Sequence, residues 1–367
     1  DALIDILNLL NCDVKLEEDQ LKVDTTSLKN TLIDENYSKK LRASYYFMGA
    51  LLGKEKYVEM CIPGGCNIGA RPIDIHIDGF KALGAEVKTE GNKYILKADK
   101  LIGTDIYLRF QSVGATINLM FASVLAEGKT VIHNAAKEAE IENIADFLIS
   151  MGAKIEGAGT DEITITGVEK LNGGSITVLP DRIEAGTYII LGALVGKNLC
   201  IENIVPKHIE ALTSKLIDMG SDITIKEDKV IISKVDNLKP TNIKTLVYPG
   251  FPTDIGQPMS VLLTQANGTS LFEETIWENR MGHVPNLNKM GANITVKNMS
   301  AMIIGPSKLH GCEVVATDLR GGAALVLAGL TAEGTTIVND VEHILRGYEN
   351  IDKKLTSVGA KIEIREI

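Results

Sequence analysis

A glycine-rich stretch at residues 63–72, PGGCNIGARP, contains the side chain best suited to chemistry, the thiol of Cys66. Three glycines lie around this cysteine, and because glycine has no Cβ they let the backbone approach a ligand closely. Polar, glycine-rich sequence between two prolines is typical of a surface loop. A thiol on such a loop, near the guanidinium of Arg71, is in the setting of a reactive cysteine. The alternative is that Cys66 is a small buried apolar side chain, as free cysteines commonly are.

Arginine is scarce in this chain and is the second candidate for chemistry. Eight of the 38 basic residues are arginines. The planar guanidinium can donate two parallel hydrogen bonds, so arginine suits the binding of carboxylate and phosphate groups. Five arginines stand in turn-like sequence, where they either bind an anion or form ordinary surface ion pairs. They are Arg42, Arg71, Arg280, Arg320 and Arg346.

Composition and charge exclude several classes of function. The formal net charge of -10 argues against nucleic acid or an anionic membrane surface as the main partner. No apolar run approaches the roughly 20 residues that a membrane-spanning helix needs. Five cysteines at irregular spacing form neither a disulfide framework nor a metal-binding motif. This usage predicts a reducing, cytoplasmic setting, with no metal and no other cofactor.

A short motif recurs along the chain, as in LGAEV at 83–87 and MGAKI at 151–155. Its glycine positions fall at 11, 84, 152, 220, 291 and 359, where the first copy is degenerate and has asparagine. The spacings of 73, 68, 68, 71 and 68 residues predict six repeats of one supersecondary unit. Each copy follows an amphipathic segment, so the glycine is expected to take the left-handed conformation that ends a helix.

Each repeat predicts the order strand, helix, strand, helix, strand, strand. Alternating apolar and polar residues around a short polar turn indicate the last two strands, as in KIEGAGTDEITITG at 154–167. Every helix has an apolar face to bury, so the units must share cores, most simply in two domains of three. The pattern leaves open whether the helices lie inside and the sheets outside, or the reverse.

The phase of the repeat indicates that the first unit lacks its leading strand and helix. It also indicates that the last unit ends with one strand that has no partner. We therefore expect about 30–50 residues ahead of residue 1, an estimate from the period itself.

Further motifs follow PGGCNIGARP in order, namely LPDRIEAGTY, YPGFPTD, WENRMGHVP, ATDLRGGAA and HILRGYENI. With these motifs the chain resembles the UDP-N-acetylglucosamine enolpyruvyl transferases over its whole length. The resemblance implies an α/β (α+β) fold, a two-domain inside-out α/β barrel built from six βαβαββ repeats with the first truncated. Domain one would span 1–179 and include the cysteine loop 59–72, and domain two would span 180–367.

The resemblance also implies a reaction. The family transfers the enolpyruvyl group of phosphoenolpyruvate to the 3′-hydroxyl of UDP-N-acetylglucosamine and releases phosphate, the first committed step of peptidoglycan synthesis. It makes Cys66 the general acid, which fosfomycin alkylates, and Asp254 the base for the acceptor hydroxyl. Arg346, with Arg320, would hold the carboxylate of phosphoenolpyruvate. On motif shape alone, Asp254 could instead be a helix N-cap.

The remaining substrate-binding positions are assigned by the same resemblance. Asp181 would be an acid near the hinge, for which a structural role is at least as expected. The helix predicted to open at Ser112 would present free N–H groups to a diphosphate. The full substrate-binding set is Arg42, Arg71, Pro72, Ile73, Asp74, Ile75, Gln111, Ser112, Val113, Gly114, Asp254, Ile276, Arg280, Arg320 and Arg346.

The chain departs from the family in three places, one of which, Gly256-Gln257 after Asp254 instead of the more usual polar pair, is expected to have little effect. A Lys-Asn pair that contributes to phosphoenolpyruvate binding has no counterpart in these residues, and Phe110 stands where a basic residue is common. Two other functions are therefore weighed, a 3-phosphoshikimate enolpyruvyl transferase and a noncatalytic paralogue that binds the nucleotide sugar. The loop at 59–72 is also expected to close over bound sugar nucleotide and to exclude water.

Overall fold

The computed structural model describes residues 2–17, 20–62 and 73–365. The chain divides into two compact units, an N-terminal unit that ends at Leu179 and a C-terminal unit that begins at Pro180.

The N-terminal unit alternates helices with short strands. Its helices are α1 (Ala2–Leu9), α2 (Glu35–Ser38), α3 (Tyr46–Glu55), α4 (Asp74–Ala82), α5 (Val113–Ser123) and α6 (Ala139–Ser150), with a 3-10 turn at Arg42–Tyr45. Its strands are β1 (Asp13–Glu17), β2 (Gln20–Asp24), β3 (Tyr57–Cys61), β4 (Glu86–Glu90), β5 (Lys93–Lys97), β6 (Asp105–Tyr107), β7 (Lys129–His133), β8 (Lys154–Glu156) and β9 (Glu162–Thr166).

The C-terminal unit has the same alternation. Its helices are α7 (Arg182–Val195), α8 (Glu210–Asp218), α9 (Thr253–Leu263), α10 (Val284–Lys289), α11 (Leu319–Thr331), α12 (Glu342–Leu345) and α13 (Ile351–Ser357), with a 3-10 turn at Pro206–Ile209. Its strands are β10 (Leu199–Ile201), β11 (Asp222–Ile225), β12 (Val230–Ser233), β13 (Ile243–Lys244), β14 (Gly268–Glu273), β15 (Asn293–Lys297), β16 (Ser300–Gly305), β17 (Glu313–Val315) and β18 (Ile337–Asn339).

The recurring motif ends a helix at every copy. Asn11, at the degenerate copy, has φ +59°, and the five glycines have φ values between +83° and +102°. A side chain with a Cβ is disfavoured in this left-handed region, whereas glycine and asparagine enter it readily. The predicted helix ends are confirmed at all six positions.

The predicted order of elements is observed in full in the third and fifth repeats. In the third, β6 and β7 are parallel, β7 pairs with β9 and β9 with β8, both antiparallel. The fifth repeat has the same arrangement in β13, β14, β16 and β15. In the second repeat the leading strand is reduced to a single bridge between Ile33 and Met60. Residues 361–365 form no strand, although KIEI alternates.

Helices form the interior of each unit. In the C-terminal unit, α7, α9 and α11 pack on one another and are buried along most of their length. In the N-terminal unit, α5 packs against α3 and α4 and is buried from Gly114 to Met120. In β16, for example, Ala301 and Ile303 are buried whereas Met302 is exposed, but none of the described residues of β1 and β2 is buried. Among the described residues, therefore, the most buried helices are α5, α7, α9 and α11.

Candidate functional site

The C-terminal unit holds an acid and two arginines in direct contact at the start of α9. Asp254 lies in the first turn of this helix with its side chain 36% exposed. One carboxylate oxygen accepts a hydrogen bond from Nη2 of Arg280, and the other accepts one at 3.3 Å from Nη2 of Arg320. Pro252 occupies the N-cap position of α9. Asp254 is therefore a partner of two guanidinium groups and not a helix cap.

The two arginines set the charge state of the acid. Burial raises the pKa of Asp254, but the guanidinium groups of Arg320 and Arg280 together outweigh burial and hold that pKa below its ordinary value. The carboxylate is therefore ionised at neutral pH. Burial opposes the charge of Arg320, yet Asp254 and the nearby Tyr348 raise the pKa of Arg320 overall. With two guanidinium groups and one carboxylate, the trio carries a net positive charge.

Part of the hydrogen-bonding capacity of these arginines is unused. The side chains of Arg280 and Arg320 are only 3% and 12% exposed. Nε of Arg280, and both Nε and Nη1 of Arg320, have no hydrogen-bond partner among the described residues. Buried N–H groups almost always have a partner, so these donors and the excess positive charge suit an anionic ligand such as a carboxylate or phosphate.

The starts of three buried helices contribute to this region. Asp181 caps α7 by accepting hydrogen bonds from the backbone N–H of Ile183 and Glu184. Asp318 caps α11 in the same way, through the N–H groups of Arg320 and Gly321. The charge of Asp181 also acts on Arg320. Because helix N-termini carry partial positive charge, their grouping favours anions. The structural interpretation of Asp181, as a helix cap, is observed.

Sequence reasoning missed two buried rings in this unit. The guanidinium carbon of Arg320 lies 5.3 Å from the ring centroid of Tyr348, in cation–π contact, and the Tyr348 hydroxyl is 2.9 Å from Oγ1 of Thr187. His283 lies with Nε2 2.9 Å from Oγ of Ser260, and burial lowers the pKa of His283 to about 4. Both rings lie within motifs that were selected for their arginines. Their position in these motifs was the sequence signal that could have identified them.

Two expected residues of this unit lie outside the charged trio. Arg346 follows α12 and is exposed, and its side chain forms no hydrogen bond or ion pair with the described residues. Ile276 is half-buried, and its backbone N–H donates to Oε1 of Glu274 at 2.8 Å. The structure thus brings Asp254, Arg280 and Arg320 together, and does not add Arg346 to them through a described contact.

A second polar cluster surrounds the start of α5 in the N-terminal unit. Ser112 is the N-cap, as expected, and its Oγ accepts from the N–H of Ala115 at 3.2 Å. Gly114 packs so tightly that a Cβ there would lie 2.7 Å from the Tyr45 hydroxyl and 3.1 Å from Cε1 of His76. The guanidinium carbon of Arg42 lies 5.6 Å from the centroid of the Tyr45 ring. Arg42, Ser112 and Gly114 are therefore joined through two rings that the sequence did not single out.

The buried histidine of this cluster is neutral. Nδ1 of His76 lies 2.9 Å from Nδ2 of Asn118, whose Oδ1 accepts from the backbone N–H of Gly49 at 2.8 Å. Burial, followed by the positive charge of Arg42, lowers the pKa of His76 to about 4, while Asp74 acts in the opposite direction. An uncharged ring is not repelled by the charge of Arg42 or by the partial positive charge of the helix N-terminus.

The other expected residues of this unit lie at the start of α4 and beside Ser112. Ile73 is buried at the N-cap position, Asp74 is the first residue of α4, and Ile75 is partly buried. Asp74 and Asp78 form ion pairs with Arg109, which borders a cleft between α4 and β6. Gln111 and Val113 are half-buried on either side of Ser112.

Cys66, Arg71 and Pro72 lie outside the described residues, as does the expected lid beyond Ile62. Within the residues that the structure describes, no group of His, Cys, Asp and Glu is arranged to hold a metal ion. No described helix is both long and apolar enough to cross a bilayer.

Comparison with known proteins was made by sequence and by structure. Residues 1–355 match the family model of EPSP synthase (3-phosphoshikimate 1-carboxyvinyltransferase). The chain is 54% identical over 358 residues to UDP-N-acetylglucosamine 1-carboxyvinyltransferase of Clostridium botulinum, which aligns 97% of this chain with 86% of that protein. It is 52% identical over 363 residues to UDP-N-acetylglucosamine 1-carboxyvinyltransferase 2 of Bacillus subtilis, with 99% of this chain and 85% of that protein aligned.

Two solved structures share the fold. The enolpyruvyl transferase NikO from Streptomyces tendae superposes with a TM-score of 0.87 at 23% identity, over 98% of this chain and 86% of that one. EPSP synthase from Acinetobacter baumannii superposes with a TM-score of 0.75 at 18% identity, over 100% of this chain and 88% of that one. At these identities the likeness establishes the fold alone.

Proposed function

The chain belongs to the EPSP synthase family of enolpyruvyl transferases, and from that premise we propose that it transfers the enolpyruvyl group of phosphoenolpyruvate to the 3′-hydroxyl of UDP-N-acetylglucosamine. The reaction releases phosphate and commits the sugar nucleotide to peptidoglycan synthesis. One observation carries the proposal: relatives that are more than half identical over nearly the whole chain bear the name of this transferase. The acceptor substrate distinguishes this reaction from that of EPSP synthase itself. The names of the relatives do not favour the EPSP synthase reaction.

The proposed reaction requires a proton donor, and the candidate for it lies in the N-terminal half of the sequence. Cys66 protonates C3 of phosphoenolpyruvate, which leaves positive character at C2. A thiol of ordinary pKa, about 8.5, is mostly protonated at neutral pH and can donate. The 3′-oxygen then bonds to C2. In the second stage the C2–O bond to phosphate breaks and a proton passes from C3 back to the Cys66 thiolate, so the enol ether forms and inorganic phosphate is released.

The acceptor side of the reaction is assigned to Asp254. The step requires a base that takes the proton of the 3′-hydroxyl while its oxygen attacks C2. A carboxylate that Arg280 and Arg320 hold ionised supports this role. Arg320, together with Arg346, binds the carboxylate of phosphoenolpyruvate, and the unused N–H groups of Arg320 support that assignment. Ion pairing of this kind would hold the small acid through addition and elimination.

Sugar-nucleotide binding is assigned to Arg71 to Ile75, Gln111 to Gly114, Asp254 and Ile276. Arg42 and Arg280 belong to the wider substrate-binding set, Arg280 as the partner of Asp254. The capped start of α5 supports a role for Ser112 to Gly114 in binding a diphosphate. The loop at 59–72 would close over this ligand. No cofactor is needed, and the unpaired Cys12, Cys61, Cys200 and Cys312 support a reducing, cytoplasmic setting.

At the level of the fold, the proposal is a pair of inside-out α/β domains, 1–179 and 180–367, with three βαβαββ repeats in each. The six left-handed helix ends and the boundary between the two compact units, at Leu179 and Pro180, support this proposal.

Phosphate release from phosphoenolpyruvate, measured on the full-length protein, tests the function. We expect release that depends on UDP-N-acetylglucosamine and is not supported by shikimate 3-phosphate. Cys66→Ser should abolish most turnover, whereas Cys66→Asp should retain part of it because a protonated carboxyl can also donate. Full activity in Cys66→Ala would contradict the acid role. Nucleotide-sugar binding without turnover would instead identify a noncatalytic paralogue.

A further inference from the structure

Glu274 is a buried carboxylate to which no role has yet been assigned. It follows β14 directly and is only 2% exposed. No lysine, arginine or histidine among the described residues forms an ion pair with it. A buried charge is costly unless it is paired or fully hydrogen-bonded, so its hydrogen bonds should account for its presence.

Four donors surround this carboxylate. Oε1 accepts from the Thr245 hydroxyl at 2.8 Å, and from the backbone N–H groups of Ile276 at 2.8 Å and Trp277 at 3.3 Å. Oε2 accepts from the hydroxyl of Thr253 at 2.8 Å. All four partners thus donate to a group that, as an ionised carboxylate, can only accept.

The bond from Thr253 is the one that connects Glu274 with the reaction. Thr253 begins α9, which has no side-chain N-cap hydrogen bond, and Asp254 is the next residue. Ile276 and Trp277 begin the segment that leads to Arg280, the buried partner of Asp254. Glu274 therefore joins the two stretches of chain that supply the two halves of the Asp254–Arg280 ion pair.

We propose that Glu274 is a positioning residue that fixes Asp254 against Arg280, so that the carboxylate of Asp254 faces the acceptor hydroxyl. This inference rests on the proposed function, because it takes Asp254 to be the base for the 3′-hydroxyl of the acceptor substrate. Glu274 touches neither substrate in this scheme and acts through Thr253 and the 276–277 backbone. An acceptor oxygen, and not merely the shape of the side chain, is required at the backbone N–H groups of Ile276 and Trp277, because an N–H group can only donate.

The test compares Thr253→Val with Thr253→Ser in the full-length protein. Valine removes the hydroxyl and keeps the branched shape, whereas serine keeps the hydroxyl. We expect Thr253→Val to lower kcat about tenfold, the effect of losing one hydrogen bond to a charged group, and Thr253→Ser to remain within about twofold of the wild type. The KM for phosphoenolpyruvate should stay within about twofold in both variants.

Two further readouts separate positioning from simple stability. The acid limb of the kcat profile should move to higher pH in Thr253→Val, because Asp254 would lose part of its contact with Arg280. Glu274→Gln keeps an acceptor for the backbone N–H groups, and its amide can donate to Thr253, so it should retain more activity than Glu274→Ala. In the Glu274→Gln background, Thr253→Val should have a smaller effect than in the wild type.

The outcomes distinguish a failure of the positioning role of Glu274 from a failure of the proposed function. Equal activity in Thr253→Val and the wild type, or equal loss in the valine and serine variants, would overturn the positioning role alone. A lowered midpoint of thermal unfolding with an unchanged pH profile would do the same. A wild-type protein that releases no phosphate from the two substrates would overturn the proposed function, and this inference with it.

Discussion

The N-terminal and C-terminal units each hold a buried polar cluster at the first turn of a buried helix, but the two clusters differ in charge. Around Ser112, the partners at the helix start are a neutral buried histidine, a buried asparagine and a tyrosine hydroxyl, and a charged group, the half-buried guanidinium of Arg42, lies beside the tyrosine ring. Around Asp254, the buried partners are two guanidinium groups. One cluster offers mainly backbone N–H groups and neutral side chains, and the other offers ionised ones.

This difference fits the two tasks proposed for the clusters. Backbone N–H groups at a capped helix start can bind a diphosphate without any change in protonation. A proton transfer requires a group whose charge state is set by its neighbours, and the two arginines do this for Asp254. We therefore expect changes in the N-terminal cluster to act on sugar-nucleotide binding and changes in the C-terminal cluster to act on turnover.

The largest effect is expected from Asp254→Asn. The variant removes the proposed base and leaves two buried guanidinium groups without a counter-charge. We expect kcat to fall at least about a hundredfold, as is usual when a general base is lost. Phosphate release under saturating substrates measures it. The matched control is Asp236→Asn, because the side chain of Asp236 lies in the same unit and is 90% exposed. This control should leave kcat unchanged. Undiminished kcat in Asp254→Asn would remove the distinction between the clusters.

Gly114→Ala tests the neutral cluster. The added Cβ would lie 2.7 Å from the Tyr45 hydroxyl and 3.1 Å from His76, so these rings must move. Overpacking of this kind costs about 1–3 kcal/mol, and displacement of the helix start should raise the KM for UDP-N-acetylglucosamine about tenfold. Gly173→Ala is the control, because nothing lies within 4 Å of a Cβ there and its φ is not left-handed. A loss confined to kcat would contradict a binding role.

The parts of the fold that depend on local backbone chemistry could be predicted from the sequence. The six helix ends are one example, because the residues within a few positions determine whether a single residue adopts the left-handed conformation. The Ser112 cap is another. The leading strand of the second repeat was not predictable, since its pairing is reduced to the bridge between Ile33 and Met60 and depends on distant packing.

The site was predicted only in part because its contacts are long-range. Asp254 and Arg320 are 66 residues apart, and only the resemblance of the motifs suggested that they act together. The environments of Tyr348, His283 and His76 are created by burial, and the only sequence signal for Tyr348 and His283 was their position within the arginine motifs. The roles of Cys66, Arg71 and Pro72 stay predictions.

The two buried histidines predict how stability depends on pH. Burial lowers the pKa of both His76 and His283 to about 4, below the value near 6.5 of an unfolded chain. Each contribution is therefore present above pH 6.5 and is lost as the pH falls towards 4. Between pH 7.5 and 5.5 each should account for about 1 kcal/mol of lost stability, measured by urea unfolding. His76→Gln and His283→Gln should each flatten the pH dependence. An unchanged slope in either variant would show that its histidine has the same pKa in the native and the unfolded state.

The smallest effect is expected from Arg109→Ala, which tests whether charge matters in the N-terminal unit at all. Arg109 pairs with Asp74 and Asp78, but these side chains are 57%, 49% and 60% exposed. Because solvent screens exposed ion pairs, the change in the free energy of unfolding should be about 0.5 kcal/mol or less and should vanish at high salt. Lys100→Ala, which removes the exposed pair with Glu127, is the matched control. If Arg109→Ala alone raised the KM for UDP-N-acetylglucosamine more than about fivefold, the charge on Asp74 would be part of the binding site. The contrast between a neutral N-terminal cluster and an ionised C-terminal one would then hold only for the buried residues of the two units.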